Sequence, residues 1–327
     1  MAEYKGIHGT KIQNYTSDPA NPLQGEVWYN STSNSLKYFY VNPGSWATGN
    51  NVNSAVENTA GFGIQDATIK TGGWFATALT ELYNGTNWTE VNDLNTGRER
   101  LATSGVTTSG VVFGGRSGPP TSARSADTET WNGTNWTEVN NLNQGRDNIA
   151  GAGITGTAAL AFNGAFPPGN PTSALTESWN GTNWTEVNDL NTARTDAGGA
   201  GSQTSALCFG GRPPVSTLTE LWNGTNWTEV NDMGTARYQV NGAGQSNTSV
   251  LAYGGFPGAK AVTESWNGTN WTEVADLSIG RTRCCATGAG NTSALAASGN
   301  APSQSPSVTA ATELWNAGPV TATIGTS

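Results

Sequence analysis

The sequence predicts an all-β protein, a six-bladed β-propeller built from four-stranded antiparallel blades. The first indication is composition: 43 Gly and 13 Trp in 327 residues, with only 12% charged and 35% hydrophobic residues. Disordered chains are usually rich in charge and poor in aromatics, whereas this mixture suits short strands joined by tight turns. The second is a tryptophan motif that recurs every 42–48 residues, a period typical of propeller blades. The third is a period-2 alternation of polar and apolar residues on both sides of Asn-Gly-Thr-Asn, a strong hairpin signal.

The repeated motif is clearest at Trp179, where the chain reads WNGTNWTEVNDLNTAR. Close copies begin at Asn84, Trp131, Trp222 and Trp266, and a truncated copy, TELWNAG, contains Trp315. A divergent copy, GSWATGNNVNSA, surrounds Trp46. We interpret the motif tryptophans as packing residues between blades, and the second one falls at Trp88, Trp136, Trp184, Trp227 and Trp271.

Each repeat also has a glycine-rich first half, so a unit is read as four strands. The first carries a Gly-Ala-Gly step, the second is apolar and ends in Gly-Gly, and the third and fourth read Thr-Glu-x-Trp and Trp-Thr-Glu-Val. Six such first halves imply six blades. A solenoid of stacked hairpins is the alternative, but the sequence offers no capping units, which a solenoid requires.

Closure of the ring follows from the last repeat, which lacks its Trp-Thr-Glu-Val strand. We expect residues 46–51, around Trp46, to supply it, because Trp46 keeps the packing residue of the motif. The alternative is a strand from residues 320–324. Residues 1–35 form a separate N-terminal arm and hairpin, with a Pro-rich linker and a turn around residues 31–35, and residues 36–327 form the propeller.

Several functions are disfavoured by residue content. With 15 basic and 24 acidic residues and a net charge of −9, binding to a nucleic-acid backbone is not expected. There is no apolar run of 18 residues and no recognisable signal peptide, so neither membrane insertion nor secretion is expected. One histidine, His8, and three irregularly spaced cysteines make a metal centre or a catalytic triad hard to build. We therefore expect no cofactor and no enzymatic activity, and we read Cys208 as a core residue.

Two sets of charged residues recur with the motif. The arginines lie where one blade crosses to the next, and we expect them to tie blades together through carboxylates or carbonyls; a ring facing an anionic ligand is the alternative. The repeated glutamates, such as Glu129 and Glu138, are expected to form a solvated rim on the outer strands. The arginines are Arg98, Arg146, Arg194, Arg237 and Arg281.

The variable parts of the repeat are the segments between the second and third strands. In a meander, successive turns alternate ends, so these segments share a face with the arginine-bearing crossovers. A constant scaffold with variable loops on one face is typical of binding proteins, although neutral variation of surface loops would give the same pattern. The candidate ligand-binding residues in these loops are Trp74, Arg116, Arg124, Phe166, Arg212, Phe256 and Lys260.

Two resemblances accompany these motifs. The order of Gly-Gly, an aromatic strand, Trp and Arg resembles the kelch repeat, although the third unit has Asn163-Gly164 and the last Ser298-Gly299 in place of Gly-Gly. The WNGTNWTEVNDLNTAR repeat, together with GEVWYNSTSNSLKY near the N-terminus, resembles structural proteins of marine, especially cyanobacterial, phages.

The phage resemblance implies a virion component associated with the tail or a tail fibre. Combined with the residue content, it leads us to expect a non-enzymatic structural or adhesion protein, made in the host cytoplasm, that contacts other virion proteins through the N-terminal arm. Because aromatic and polar loops suit sugars, we expect the loops to bind a host-surface polysaccharide or receptor. Two alternatives stay open: a purely architectural decoration or spacer protein, and a cellular kelch-type protein-interaction module.

Overall fold

The computed structural model describes residues 12–118, 123–166, 171–304 and 306–324. Within these ranges the chain is almost wholly strand and turn, and a single 3-10 turn at Trp74–Ala76 is its helical element. It forms two compact units, one spanning Ser45–Asn316 and the other comprising the described residues up to Gly44 and from Ala317 onwards. The boundary expected at residue 36 stays a prediction. No helix in the described ranges is long and apolar enough to cross a membrane.

The larger unit contains six antiparallel blades of four strands. In five blades the strands are ordered from the centre outwards as in the sequence, whereas the sixth takes its outermost strand from an earlier part of the chain. This confirms the predicted six-bladed β-propeller. Blades 1 to 3 are β4 (Ala60–Ile64), β5 (Ala67–Thr71), β6 (Thr80–Tyr83), β7 (Trp88–Glu90); β8 (Ala102–Val106), β9 (Ser109–Phe113), β10 (Thr128–Trp131), β11 (Trp136–Val139); and β12 (Ala150–Thr155), β13 (Ala158–Phe162), β14 (Thr176–Trp179), β15 (Trp184–Val187). Blades 4 to 6 are β16 (Gly198–Ser202), β17 (Ser205–Phe209), β18 (Thr219–Trp222), β19 (Trp227–Val230); β20 (Asn241–Ser246), β21 (Ser249–Tyr253), β22 (Thr263–Trp266), β23 (Trp271–Val274); and β24 (Cys285–Gly290), β25 (Ser293–Ala297), β26 (Thr312–Thr323), β3 (Ser35–Gly49).

Blade 6 closes the ring with the strand that contains Trp46. Strand β3 follows β26 in the sheet, and the Trp46 and Trp315 rings lie 5.6 Å apart, similar to the 5.3 Å between Trp179 and Trp184 in blade 3. This confirms the closure expected around Trp46. The alternative is wrong, because residues 320–323 continue β26 instead of forming a new strand.

The first strands of the six blades contact each other in a closed circle around the axis. Glycine and alanine are required there because the backbones approach closely: a Cβ on Gly151 would lie 2.8 Å from the Phe113 ring and 3.0 Å from the Thr103 carbonyl oxygen. The space that remains between these strands is a narrow channel of about 190 Å³.

The fourth-strand tryptophans join each blade to the one before it. Trp184 is buried and packs edge-on against Phe113 with ring centroids 4.8 Å apart. Its indole N–H donates to the Thr128 hydroxyl at 3.0 Å. Both the apolar and the polar part of the side chain therefore contact the neighbouring blade, and we call such a contact region between two blades a seam. Trp46, Trp88, Trp227 and Trp271 donate to the equivalent threonine of the preceding blade at 3.0–3.1 Å.

A second contact between blades lies at the Asn-Gly-Thr-Asn turns. The Asn140 side-chain amide donates to the Thr182 carbonyl and to Asn183 Oδ1 in the turn of the next blade, at 3.0 and 2.8 Å. Asn50, Asn92, Asn188 and Asn231 do the same at other seams. At the seam before blade 6, Ala275 stands at the position where the other repeats have this asparagine. Blade 6 takes its third and fourth strands from distant parts of the chain and has no such turn, so an asparagine there would have no target.

The smaller unit pairs β1 (Gln13–Tyr15) in parallel with β2 (Val27–Asn30), which pairs antiparallel with the start of β3. Trp28 and Asn30 face inwards, and both donate to Asp18 Oδ1, at 3.0 and 2.7 Å. These two hydrogen bonds lower the pKa of Asp18, so they stabilise the ionised carboxylate that organises this unit.

Candidate functional site

The variable loops and the crossovers lie on the same face of the ring, as the alternation of turns predicts. The residue after each repeated arginine forms a short antiparallel bridge with the residue after the paired glycines. These bridges join Glu99 to Arg116, Asp147 to Ala165, Thr195 to Arg212, Tyr238 to Phe256 and Thr282 to Asn300. We call this side of the ring the loop face.

The repeated arginines lie beneath the loop face and are fully buried. The Arg146 guanidinium bonds Glu177 of the next blade at 2.9 Å and donates to the carbonyls of Asn163 and Leu175. Burial lowers the pKa of Arg146, while the Glu177 carboxylate opposes this effect. The other pairs are Arg98–Glu129, Arg194–Glu220 and Arg237–Glu264 at 2.8–3.3 Å, and Arg281–Glu313. Because the five arginine residues are at most 1% exposed, their positions do not support an anion-facing ring.

The glutamates behave differently on the two outer strands. Glu129 on β10 is buried, whereas its cross-strand partner Glu138 on β11 is exposed. The expectation of a solvated rim was therefore wrong for the third-strand glutamates. The preceding blade's crossover covers the third strand but not the edge strand, and the backbone N–H groups of Asn95 and Thr96 donate to the Glu129 carboxylate.

The seam between blades 6 and 1 lacks the arginine, because Val56 occupies its place in the repeat. There Lys70, which is fully buried on β5, bonds Glu81 at 2.8 Å. The N–H groups of Asn53 and Ser54 donate to the same carboxylate. Sequence reasoning missed Lys70, although a lysine in the apolar second strand, where the other blades have Val, Ala or Cys, was the signal.

A ring of six residues surrounds the mouth of the channel on the loop face. All six have φ between 51° and 58°, in the left-handed region that non-glycine residues rarely adopt. Backbone hydrogen bonds link them, for example from Arg100 N to the Asn58 carbonyl and from Asn148 N to the Arg100 carbonyl, both 3.1 Å. Because these hydrogen bonds fix the backbone, the side chains at the mouth can differ from one blade to the next. The six residues of the ring are Asn58, Arg100, Asn148, Asp196, Gln239 and Arg283.

Beside this mouth, a cavity of about 300 Å³ opens between blades 4, 5 and 6. Tyr238 and Phe256 form one wall, with ring centroids 5.2 Å apart, and the Arg212 guanidinium lies 4.6 Å from the Tyr238 centroid, within cation–π distance. We call this cavity the Tyr238 pocket; its lining is Glu57, Arg212, Tyr238, Gln239, Phe256, Thr282, Arg283 and Asn300.

The charges at the Tyr238 pocket are arranged as pairs. Arg212 Nε lies 2.7 Å from Asp196 Oδ2, and Arg283 Nη1 lies 3.9 Å from Glu57 Oε2. Burial lowers the pKa of Arg283, and repulsion from the nearby Arg100 lowers it further. Each guanidinium therefore has a carboxylate partner, but the Glu57–Arg283 contact is too long for a direct hydrogen bond.

Two of the predicted binding residues, Arg212 and Phe256, meet in this pocket. Trp74 lies next to it, since its backbone N–H donates to the Glu57 carbonyl at 2.7 Å, and its ring contacts Phe75 edge-on. The structure does not place the other predicted residues in the pocket lining: Arg124 pairs with Asp147, Arg116 bridges Glu99 and Arg124 through its backbone, and Phe166 and Lys260 are half-buried in their own loops.

The sequence reasoning missed Glu57, Tyr238 and Arg283 as pocket residues. Tyr238 carried a signal, because it is an aromatic residue at the crossover position where other repeats have Glu, Asp or Thr. Glu57 and Arg283 carried none, since charged residues at a crossover are typical of solvated surfaces.

Within the described ranges, no group of three or more His, Cys, Asp or Glu side chains could hold a metal ion, and His8 lies outside those ranges. The three cysteines are free and buried, and burial raises the pKa of the Cys284 thiol to about 12. A thiol of this kind is a poor nucleophile at neutral pH.

Comparison with known proteins supports the fold alone. The solved structure of YjhT matches with a TM-score of 0.65 over 85% of this chain and 97% of that chain, at 13% sequence identity. No protein-family model and no curated protein matches the chain.

Proposed function

We propose that the protein is a non-enzymatic component of a phage virion, associated with the tail, whose loop face binds a glycan on the host surface. The observation that carries this proposal is the Tyr238 pocket, in which aromatic rings and several hydrogen-bonding groups line one concavity, as in many small-molecule binding sites. Phe256 is 38% exposed and the Arg212 side chain 43% exposed, so a surface ligand can reach both.

Binding is favoured over catalysis by the arrangement of the charged groups. The two carboxylates nearest the pocket, Glu57 and Asp196, each face an arginine, so both are engaged in ion pairs within the protein.

The virion assignment depends on the tryptophan repeat and on the smaller unit. In that unit Tyr29 and Tyr40 are at least one third exposed, and Tyr38 and Tyr40 stack with centroids 5.5 Å apart. Exposed aromatic residues of this kind are enriched in protein interfaces. We propose this unit as the virion-docking arm and the kelch-like propeller as the part that faces the host. Many copies on one particle would convert weak contacts into firm attachment through effective concentration.

The direct test is binding of the purified protein to host cells and to polysaccharide extracted from them, combined with mass spectrometry of purified virions. We expect wild-type protein to bind and Phe256→Ala to lose most of the binding. Glu138→Gln, an exposed edge-strand change away from the loop face, should bind like wild type. A protein found in virions that binds neither cells nor polysaccharide would instead be architectural, and absence from virions would favour a cellular interaction module.

A further inference from the structure

Two buried polar atoms in the Tyr238 pocket have no hydrogen-bond partner among the described residues: Glu57 Oε2 and Arg283 Nε. One is an acceptor and the other a donor, and Glu57 Oε2 lies 3.9 Å from Arg283 Nη1. Leaving such atoms unsatisfied is costly. The pair matches a hydroxyl group chemically, because a hydroxyl can donate to the carboxylate and accept from the guanidinium at the same time. Both atoms are closed to solvent, so a ligand hydroxyl reaches them when the Arg283 side chain, which is 27% exposed, moves aside.

The charge balance of the pocket argues against a charged ligand. Arg212 is neutralised by Asp196 and Arg283 by Glu57. An anionic ligand would have to displace one of these carboxylates and leave it buried without its partner, which is strongly unfavourable. A neutral ligand rich in hydroxyls can enter without breaking either pair.

The aromatic wall adds an apolar surface on one side. Arg212 lies over the Tyr238 ring, whereas Phe256 presents its exposed surface beside it. A pyranose ring has a C–H face and an edge of hydroxyls, so it can pack on Phe256 while its hydroxyls point to Glu57 and Arg283.

We propose that the Tyr238 pocket is a subsite for an uncharged sugar residue, which it holds through adjacent hydroxyls placed between Glu57 and Arg283 and through its C–H face on Phe256. This inference rests on the proposed function, since it specifies the glycan class that the loop face takes. It selects neutral hexoses over their uronic acids.

The test uses matched methyl glycosides that differ only at C6: methyl glucoside against methyl glucuronide, and methyl galactoside against methyl galacturonide. Affinities of the full-length protein are measured by NMR titration. We expect at least one neutral glycoside to bind roughly 10-fold or more tightly than its uronic acid, a difference of about 1.4 kcal/mol.

Variants locate the subsite. Glu57→Gln keeps the shape but removes the charged acceptor, and should weaken the neutral glycoside roughly 10-fold, the scale of one hydrogen bond to a charged group. Glu99→Gln changes the same repeat position at the neighbouring seam, outside the pocket lining, and should bind like wild type. Phe256→Ala should weaken binding without changing charge. Urea unfolding of each variant establishes that it is folded.

The outcomes separate the two proposals. Tighter binding of the uronic acids, or equal affinity of wild type and Glu57→Gln, overturns the neutral-sugar subsite even if host polysaccharide is still bound. Failure of the wild-type protein to bind any of the four glycosides and any host polysaccharide overturns the glycan-binding function itself.

Discussion

Replacing Lys70 by valine removes the cation from the seam that closes the ring. Lys70→Val copies Val112, the residue at the same position in blade 2, so the change is sterically compatible with the repeat. The Glu81 carboxylate would keep its two backbone N–H donors, from Asn53 and Ser54, but would be buried without a counter-ion. Breaking a buried pair in this way costs about 3–5 kcal/mol, and the two remaining hydrogen bonds place the expected loss near the lower value.

The structure also predicts a rescue. Val56 stands where the other crossovers carry arginine, so Val56→Arg combined with Lys70→Val restores the arrangement of the other seams. We expect the double variant to recover most of the stability that Lys70→Val loses.

The assay is equilibrium urea unfolding followed by tryptophan fluorescence, in which the midpoint and slope give the free energy of unfolding. Equal stability of wild type and Lys70→Val at pH 8, or a double variant no better than the single one, would refute the reasoning.

Three further predictions concern other contacts. Burial raises the pKa of Cys284 from its ordinary value of 9.0 to about 12. The free energy of unfolding should therefore fall as the pH rises from 9 to 12, because the unfolded chain loses the thiol proton first. Over the same pH range, the urea midpoint of Cys284→Ala should fall less steeply than that of the wild type. Asn140→Ala should lower the free energy of unfolding by about 1 kcal/mol, because it loses the hydrogen bonds to the next blade. Ala275→Asn should leave the urea midpoint unchanged, and a lower midpoint would contradict the statement that blade 6 has no turn to accept these bonds. Trp184→Phe should lower the free energy of unfolding by about 1–3 kcal/mol, because it leaves the Thr128 hydroxyl without its donor. An unchanged melting temperature in calorimetry would show that the indole N–H does not stabilise the contact between the blades.

The repeat predicted the fold well because each blade repeats the same local signals. The hairpin turn, the alternating outer strands and the glycine step recur together, so their register is fixed by the sequence pattern. Trp46 was sufficient to identify the closing strand, since its divergent copy of the motif aligns it with the tryptophan of the fourth strand.

The candidate site was predicted only in part, because it depends on distances between repeats. Arg212 and Phe256 were identified as loop residues, but nothing in their sequence spacing shows that Glu57 of a distant crossover lies in the same pocket. The burial of Glu129 was missed for a related reason. Its environment is set by the crossover of the preceding blade, and the polar–apolar alternation within a strand gives no information about what packs on it.

The closing strand has a consequence for synthesis of the protein. Trp46 donates its hydrogen bond to Thr263, 217 residues further along the chain, and at about 5–20 residues per second that partner emerges roughly 10–45 s later. During this interval the early blades can form their local hairpins, whereas the Trp46 end of β3 still lacks its neighbour β26. Such non-local pairing is intrinsically slow, so we expect the ring to remain open on the ribosome and to close only as the last blade is made.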